Sequence, residues 1–193
     1  MTDSHTNHTA LLIIDMQKAY FHNDALKERQ DELTYNTNAM ISLAHVQSMP
    51  VFNIRTEHQK DIATWTLNMM NDHQGYLFTD EDDSQNVPHL NSKNTIEVIK
   101  TRDSAFHGTT LSTMLKNHSI DTVILCGVST HTCIFQTASD AYAANISVII
   151  AGEATASHQP KYHKTALDIL GLEYRQAVMT NASLKKYIQN NRK

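Results

Sequence analysis

Runs of apolar residues with little or no polar interruption are the feature that most constrains the fold of this chain. One run occupies residues 10–14, and similar runs occupy residues 122–126 and 146–150. A half-exposed strand alternates apolar and polar residues, whereas a strand that is buried on both faces is apolar throughout. The runs therefore predict strands of a parallel sheet that is covered by helices on both faces.

Helical and strand-like segments alternate along the rest of the chain. Further strands are predicted at residues 51–54, 96–99 and 176–179, and helices at residues 31–48, 111–118, 132–144, 161–170 and from residue 183 onward, with a partly helical segment around residues 65–70. Such alternation produces right-handed βαβ crossovers. We therefore expect an α/β fold, namely a three-layer α/β/α sandwich with a six-stranded, mostly parallel, Rossmann-like sheet. We expect residues 1–8 to form a flexible N-terminal tail and residues 9–193 to form a single domain, because no linker or internal repeat divides them.

The composition argues against several classes of protein. The 193 residues carry a net charge of -4 and no long basic stripe, which argues against nucleic acid as a partner. No apolar run is long enough for a transmembrane helix, and the polar residues 1–9 lack the apolar core of a signal peptide. The 2 cysteines are too few for a disulfide scaffold, and free thiols fit a reducing compartment, so we expect a cytoplasmic protein. The expected partner is a small-molecule substrate.

Polar residues stand where three of the predicted strands end. Asp15 ends the first strand, Lys100 ends the third strand, and Cys133 follows the fourth strand at the start of a helix. Open parallel sheets bind their ligands beyond the carboxyl ends of the strands. We therefore expect these three residues to lie together in an active site.

The three residue types suit acyl transfer through a thioester. A cysteine attacks as its thiolate, and both a helix N-terminus and a neighbouring cation such as Lys100 lower the pKa of a thiol. Asp15 would act as the general base that takes the thiol proton and returns it to a leaving amine, while backbone N–H groups of the helix would hold the oxyanion. The alternatives are structural, with Asp15 as a cap, Lys100 as a strand-end charge and Cys133 as an inert buried residue. For Cys126, inside an apolar strand, we expect a core role.

Three motifs occur in order along the chain, and each contains one of the three residues. They are Leu11-Leu12-Ile13-Ile14-Asp15-Met16-Gln17 with Tyr20 and Phe21, Val98-Ile99-Lys100 with Ser104-Ala105-Phe106-His107-Gly108-Thr109 and Leu111, and Gly127-Val128-Ser129-Thr130-His131-Thr132-Cys133 with Thr137, Asp140 and Ala141. Over residues 9–186 the chain resembles the isochorismatase-like cysteine hydrolases. That superfamily includes nicotinamidases, N-carbamoylsarcosine amidohydrolases and ureidoacrylate amidohydrolases.

The resemblance implies a specific set of site residues. It implies a catalytic triad of Asp15, Lys100 and Cys133, and a cis peptide bond between Val128 and Ser129. It also implies that the backbone N–H groups of Ser129 and Cys133 form the oxyanion hole. The fold of the superfamily is a six-stranded parallel sheet between helix layers, and its members form homodimers or homotetramers.

The histidines depart from the pattern of the metal-binding relatives. Nicotinamidases that bind a metal carry an Asp-x-His motif after the second strand, where this chain has Arg55-Thr56-Glu57-His58. His58, His73 and His89 match no standard metal site in their spacing, so we expect no metal and no cofactor. His131 stands where Asp or Asn is often found in the third motif, and it either tunes the pocket or faces the protein interior.

The cysteine favours one reaction of the superfamily over another. Isochorismatases proper cleave a vinyl ether and lack a cysteine at this position, so Cys133 favours a metal-independent amidohydrolase acting on a small amide, ureido or carbamoyl compound. The alternatives are an isochorismatase-type vinyl ether hydrolase and a catalytically silent binding module on the same fold. Tyr20, Trp65 and Phe106 are expected to bind substrate as walls of the pocket, and a core or dimer-interface role is an equal alternative for Trp65. The sequence leaves open whether residues 55–94 close over the site or pack against a partner subunit.

Overall fold

Six parallel strands form one sheet through the centre of the molecule. The structure is a computed structural model that describes residues 8–190. The strands are β1 (Thr9–Ile14), β2 (Val51–Thr56), β3 (Ile96–Lys100), β4 (Thr122–Val128), β5 (Ser147–Ala156) and β6 (Ala177–Met179). Their order across the sheet is β3-β2-β1-β4-β5-β6, and every neighbouring pair is parallel. The predicted six-stranded parallel sheet is thus confirmed.

Helices cover the sheet on both faces, as predicted for a three-layer sandwich. They are α1 (Asp24–Lys27), α2 (Gln30–Val46), α3 (Leu67–Asp72), α4 (Leu111–Asn117), α5 (Phe135–Ala143), α6 (Pro160–Leu172) and α7 (Asn181–Asn190), with a π-helical turn over Thr130–Ile134 directly before α5. Helices α2 and α7 supply apolar side chains to the core on one face, and helices α4, α5 and α6 supply them on the other. Within residues 8–190, no helix is both long and apolar enough to span a membrane.

The first strand shows why the apolar runs have no polar interruption. Leu11 and Ile13 belong to the core beneath α2 and α7, whereas Leu12 and Ile14 belong to the core beneath α4 and α5. All four side chains are at most 1% exposed. Because both faces of β1 are buried, a polar residue at any of these positions would have to be desolvated.

The fifth strand is longer than the sequence indicates. The apolar pattern ends at Ile150, but β5 continues through Gly152 and Glu153 to Ala156. The continuation is possible because Thr155 and Ala156 pair with the end of β4, after a register shift between Leu125 and Gly127. Gly127 and Val128, which lie beyond the apolar run at residues 122–126, are therefore the last residues of β4.

The predicted N-terminal tail lies almost wholly outside the described residues. His8 is the exception, because its carbonyl oxygen accepts hydrogen bonds from the N–H groups of Asp121 (2.9 Å) and Thr122 (3.1 Å). The residue before β1 is thus hydrogen-bonded to the start of β4, the strand that lies beside β1.

The chain winds outward from the middle of the sheet in both directions. It runs from β1 through β2 to β3, crosses back to β4 beside β1, and continues through β5 to β6. The connections after β1 and β4 therefore leave in opposite directions and open a crevice at the carboxyl ends of these two strands. The residues that follow β1 and β4 are Asp15 and the turn that contains Cys133.

Candidate active site

The three residues predicted at strand ends meet at the carboxyl edge of the sheet. Asp15 directly follows β1, Lys100 is the last residue of β3, and Cys133 lies in the π-helical turn that precedes α5. Their exposed fractions are 0%, 1% and 4%. A buried carboxylate, a buried ammonium and a buried thiol are costly unless they are paired, so their clustering is the first evidence for a built site.

Lys100 is the centre of the cluster. Its Nζ lies 2.8 Å from Asp15 Oδ2, 2.7 Å from Thr56 Oγ1, 3.1 Å from the carbonyl oxygen of Arg102 and 3.6 Å from Cys133 Sγ. An ammonium has three protons to donate. It donates to the Thr56 hydroxyl, the Arg102 carbonyl oxygen and the thiol sulfur, while the Asp15 carboxylate pairs with its charge.

Thr56 connects the two members of the ion pair and was not identified from the sequence. Its hydroxyl accepts the hydrogen bond from Lys100 and donates one of 2.9 Å to Asp15 Oδ1. Thr56 is the last residue of β2 and stands opposite Lys100 in the register of β2 and β3. Because β2 is two residues longer than the predicted strand at residues 51–54, the strand-end signal that selected Asp15 and Lys100 missed Thr56.

The electrostatics of the thiol differ from the expectation. Burial raises the pKa of the Cys133 thiol, the Asp15 carboxylate raises it further, and Lys100 only partly offsets these effects. The predicted lowering of this pKa by a cation and a helix N-terminus is therefore wrong for the resting site. Burial alone would lower the pKa of Lys100, but the negative charge of Asp15 outweighs that effect and raises it. The resting site thus holds a neutral thiol beside a charged lysine.

Glycine is required at the end of β4. Gly127 has φ of +113°, and a Cβ atom there would lie 1.9 Å from the carbonyl oxygen of Ile14. The close approach brings the end of β4 against the residue that precedes Asp15. The next peptide bond, between Val128 and Ser129, is cis, and the Ser129 carbonyl oxygen then accepts hydrogen bonds from the N–H groups of Thr132 (3.1 Å) and Ile134 (3.2 Å). These bonds fix the backbone of the turn that carries Cys133.

Other motif residues join the loop after β3 to α5. Ser104 Oγ donates a 2.5 Å hydrogen bond to Asp140 Oδ2, and the N–H of Ala105 donates one of 3.0 Å to Thr137 Oγ1. Lys100 precedes this loop and Cys133 precedes α5. The bonds therefore hold the two elements that bring the ammonium and the thiol together.

The predicted wall residues differ in how they relate to the cluster. Tyr20 is half-buried, and its pKa is raised by burial and by the negative charge of Asp15. Phe106 packs against the core that contains Cys133. Trp65 contacts residues outside the cluster, since its Nε1 donates to the carbonyl oxygen of Gln59 (3.0 Å) and its ring packs against Phe78 with centroids 6.3 Å apart.

Residues 55–94 pack on their own chain at the entrance to the site. Gln17 Nε2 donates hydrogen bonds of 2.8 Å to the carbonyl oxygens of Thr56 and Ser84, and His58 pairs with residues 77–79 through its backbone.

A cleft of about 590 Å³ lies between α3 and the loop after β3, with Tyr76, Arg102 and Asp103 in its lining. None of the three predicted residues lines this cleft or the cavity of about 690 Å³ at the opposite end of β4 and β5. The cleft is the one beside the cluster, because its lining residue Asp103 lies 4.0 Å from Cys133 Sγ.

The histidines among the described residues form no recognisable metal site. Within the part of the chain that the structure describes, no three His, Cys, Asp or Glu side chains are grouped so as to hold a metal ion. His58 is buried, its Nδ1 lies 2.8 Å from the carbonyl oxygen of Thr64, and burial lowers its pKa. His131 lies between Ser157 Oγ, 2.7 Å from its Nδ1, and the rings of His158 and Tyr162. Its hydrogen bond and ring contacts are thus with the segment before α6 and with α6 itself, rather than with the thiol.

Sequence relatives cover most of the chain. The model of the family described as "Isochorismatase domain" matches residues 9–183. An uncharacterized isochorismatase family protein, YecD, of Escherichia coli O157:H7 is 25% identical over 169 residues, which are 87% of this chain and 90% of that protein. A probable inactive nicotinamidase of Arabidopsis thaliana is 28% identical over 164 residues, which are 80% of this chain and 84% of that protein.

Solved structures share the whole fold. A cysteine hydrolase from Pseudomonas syringae pv. phaseolicola 1448A superposes with a TM-score of 0.85 at 21% identity, over 96% of this chain and 95% of that one. An N-carbamoylsarcosine amidase from Thermoplasma acidophilum superposes with a TM-score of 0.76 at 22% identity, over 90% of this chain and 96% of that one. At such identities the structural similarity concerns the fold, whereas the family model spans nearly the whole sequence. The chain therefore belongs to the isochorismatase family of hydrolases.

Proposed function

We propose that the protein is a metal-independent cysteine amidohydrolase that cleaves a small amide, ureido or carbamoyl compound through a thioester on Cys133. The observation that carries the proposal is the buried cluster in which Lys100 Nζ lies 2.8 Å from Asp15 Oδ2 and 3.6 Å from Cys133 Sγ. A structural ion pair needs no thiol beside it. A cysteine nucleophile is activated by a neighbouring base or by a cation that favours its thiolate, and this cluster supplies both.

Acylation begins with the transfer of the thiol proton from Cys133 to Asp15. The thiolate attacks the carbonyl carbon, a C–S bond forms, and the carbonyl oxygen becomes an oxyanion that the N–H groups of Ser129 and Cys133 stabilise. Asp15 then protonates the leaving nitrogen, the C–N bond breaks, and ammonia or an amine departs.

Deacylation reverses the roles of the same groups. Water attacks the thioester while Asp15 takes one of its protons, a second tetrahedral intermediate forms, and the C–S bond breaks. The proton on Asp15 returns to the sulfur, which restores the neutral thiol and releases the acid. Lys100 stays protonated throughout because its raised pKa lies above the range in which the enzyme would work.

One relative supports amide chemistry, and another supports the alternative of a catalytically silent protein. One structural neighbour is an N-carbamoylsarcosine amidase, whose substrate carries a carbamoyl group. A sequence relative is described as a probable inactive nicotinamidase, so a catalytically silent module on this fold is the alternative that experiment must separate. The missing Asp-x-His motif at residues 55–58 is the reason for proposing a metal-independent enzyme.

A screen for ammonia release tests the proposal. Small amides, ureido acids and carbamoyl compounds are supplied to the wild-type protein, to Cys133→Ala and to Cys126→Ala. Cys126 is the matched control, because it is also fully buried and its thiol faces the carbonyl oxygen of Leu12 at 3.6 Å. We expect turnover that is lost in Cys133→Ala and kept in Cys126→Ala.

Three results would contradict the proposal in different ways. Turnover that survives in Cys133→Ala excludes the thioester mechanism. Release of pyruvate from isochorismate, together with no ammonia from any compound of the screen, favours the vinyl ether alternative. Folded protein with neither activity favours the silent module.

A further inference from the structure

Asp103 brings a second carboxylate to the nucleophile. Its Oδ1 lies 4.0 Å from Cys133 Sγ, and its Oδ2 accepts a 2.7 Å hydrogen bond from Gln136 Nε2. The bond to Gln136 fixes the carboxyl group at the cleft side of the thiol. Among residues 8–190, no lysine, arginine or histidine forms an ion pair with Asp103.

The nearby cations are engaged elsewhere. Arg102 also lines the cleft, but its Nη1 donates to the carbonyl oxygens of Thr64 (2.8 Å) and Thr101 (2.6 Å). Lys100 is paired with Asp15 at 2.8 Å. The negative charge of Asp103 acts to raise the pKa of His131, but burial has the larger effect and lowers that pKa, so the imidazole is neutral near pH 7. A molecule that reaches the sulfur from the cleft therefore meets a carboxylate that forms no ion pair with residues 8–190.

We infer that Asp103 makes the active site select acyl groups that carry a cationic nitrogen next to the scissile carbonyl, and makes it disfavour acyl groups that carry a carboxylate there. The inference rests on the proposed function. A carbonyl carbon bonded to Sγ lies one covalent bond from the sulfur, so a substituent on the neighbouring carbon falls within hydrogen-bonding reach of Asp103 Oδ1. An ammonium at that position gains a charge-assisted hydrogen bond, whereas a carboxylate faces a like charge.

The first test compares three amides of similar size in wild-type protein and in Asp103→Asn. Glycinamide carries an ammonium, propanamide is neutral and malonamate carries a carboxylate. The asparagine variant keeps the shape of the side chain and an oxygen that accepts from Gln136. We expect kcat/KM for glycinamide, relative to that for propanamide, to fall about tenfold in the variant, as for a partly screened ion pair, and the relative value for malonamate to rise.

The second test measures the same preference without turnover. Cys133 is modified with methanethiosulfonates whose transferred group is cationic (2-aminoethyl), neutral (methyl) or anionic (2-sulfonatoethyl). In each case the thiolate attacks the sulfenyl sulfur, methanesulfinate leaves and a mixed disulfide forms. Loss of the Asp103 charge also changes the ionisation of the thiol, but that change scales all three rates by the same factor, so the ratios report the selection. Cys133→Ala supplies the background rate.

Asp168→Asn is the matched control because it removes the same charge from the exposed surface of α6, where Asp168 pairs with Lys164. We expect this variant to keep the wild-type ratios in both tests. Rates that are equal for the three reagents, or ratios that Asp103→Asn leaves unchanged, would overturn the inference. Absence of ammonia from every compound of the screen, together with charge-selective labelling of Cys133, would instead reject the proposed function and leave the charge preference of the site established.

Discussion

Thr56→Val is expected to destabilise the protein by breaking the hydroxyl bridge within the buried ion pair. The substitution keeps the shape of the side chain and removes the oxygen that accepts from Lys100 at 2.7 Å and donates to Asp15 at 2.9 Å. Thr56 is only 5% exposed, so water cannot easily replace the missing group. The backbone N–H of Thr56 keeps its 2.8 Å hydrogen bond to Gln17 Oε1, so the end of β2 stays in place.

The structure sets the size of the effect. Each lost hydrogen bond involves a charged partner, and such bonds contribute about 1.5–3 kcal/mol each. The ion pair between Lys100 and Asp15 remains and relaxes toward better mutual contact, and the new methyl group gains some transfer free energy. We therefore expect the free energy of unfolding to fall by about 2–4 kcal/mol, a large part of the 5–15 kcal/mol that is typical of a whole domain.

Urea unfolding followed by circular dichroism measures this loss. Thr56→Ser is the matched control, because it keeps the hydroxyl and removes one buried methyl group, which costs about 1 kcal/mol. If the valine variant unfolds within about 0.5 kcal/mol of the wild-type protein, or if the serine variant is the less stable of the two, then the hydroxyl does not hold the pair together.

Two further predictions follow from the close packing at β4 and from the buried thiols. Gly127→Ala is expected to prevent folding or to lower the free energy of unfolding by more than about 4 kcal/mol, because its Cβ would lie 1.9 Å from the Ile14 carbonyl oxygen. Gly108→Ala, where φ is +68° but nothing lies within 4 Å, is expected to lower it by only about 1 kcal/mol in the same unfolding assay. Similar losses in the two variants would refute the steric argument. Burial raises the pKa of Cys126 to about 12 and also raises that of Cys133. Because unfolded thiols ionise near pH 8.5 and the folded ones stay protonated, stability should fall above about pH 8.5, with each thiol adding up to about 1.4 kcal/mol per pH unit to the slope. Urea titrations at several pH values should therefore show a shallower slope in Cys133→Ala, and a slope identical to that of the wild-type protein would contradict the raised pKa.

The sequence predicted the parts of the site that depend on strand ends. Asp15 and Lys100 end apolar strands that are buried on both faces, and Cys133 begins the helical segment after another. In a parallel sheet such positions share one edge whatever the details of packing, so a pattern along the chain was sufficient. The family motifs reinforced the same positions.

The remaining features depend on contacts that no local pattern encodes. Asp103 is close to the thiol only because Ser104 and Ala105 join its loop to α5. Trp65 lies at the edge of the segment predicted to be partly helical, where the direction of a side chain is set by tertiary contacts such as its packing against Phe78. The direction of the thiol pKa shift also could not be predicted, because it depends on burial and on two carboxylates whose distances are fixed only in the folded protein.

A raised thiol pKa is compatible with a cysteine nucleophile because Lys100 contacts both groups that exchange the proton. In the resting site the negative charge is on Asp15, 2.8 Å from Lys100 Nζ, and the thiol is neutral at 3.6 Å from the same atom. When the proton moves from Cys133 to Asp15 in the proposed reaction, the negative charge passes from one neighbour of Lys100 to another, and no additional charge is buried. The free energy of the transfer therefore depends on the difference between two ion pairs with the same ammonium, rather than on the cost of ionising an isolated thiol in the core.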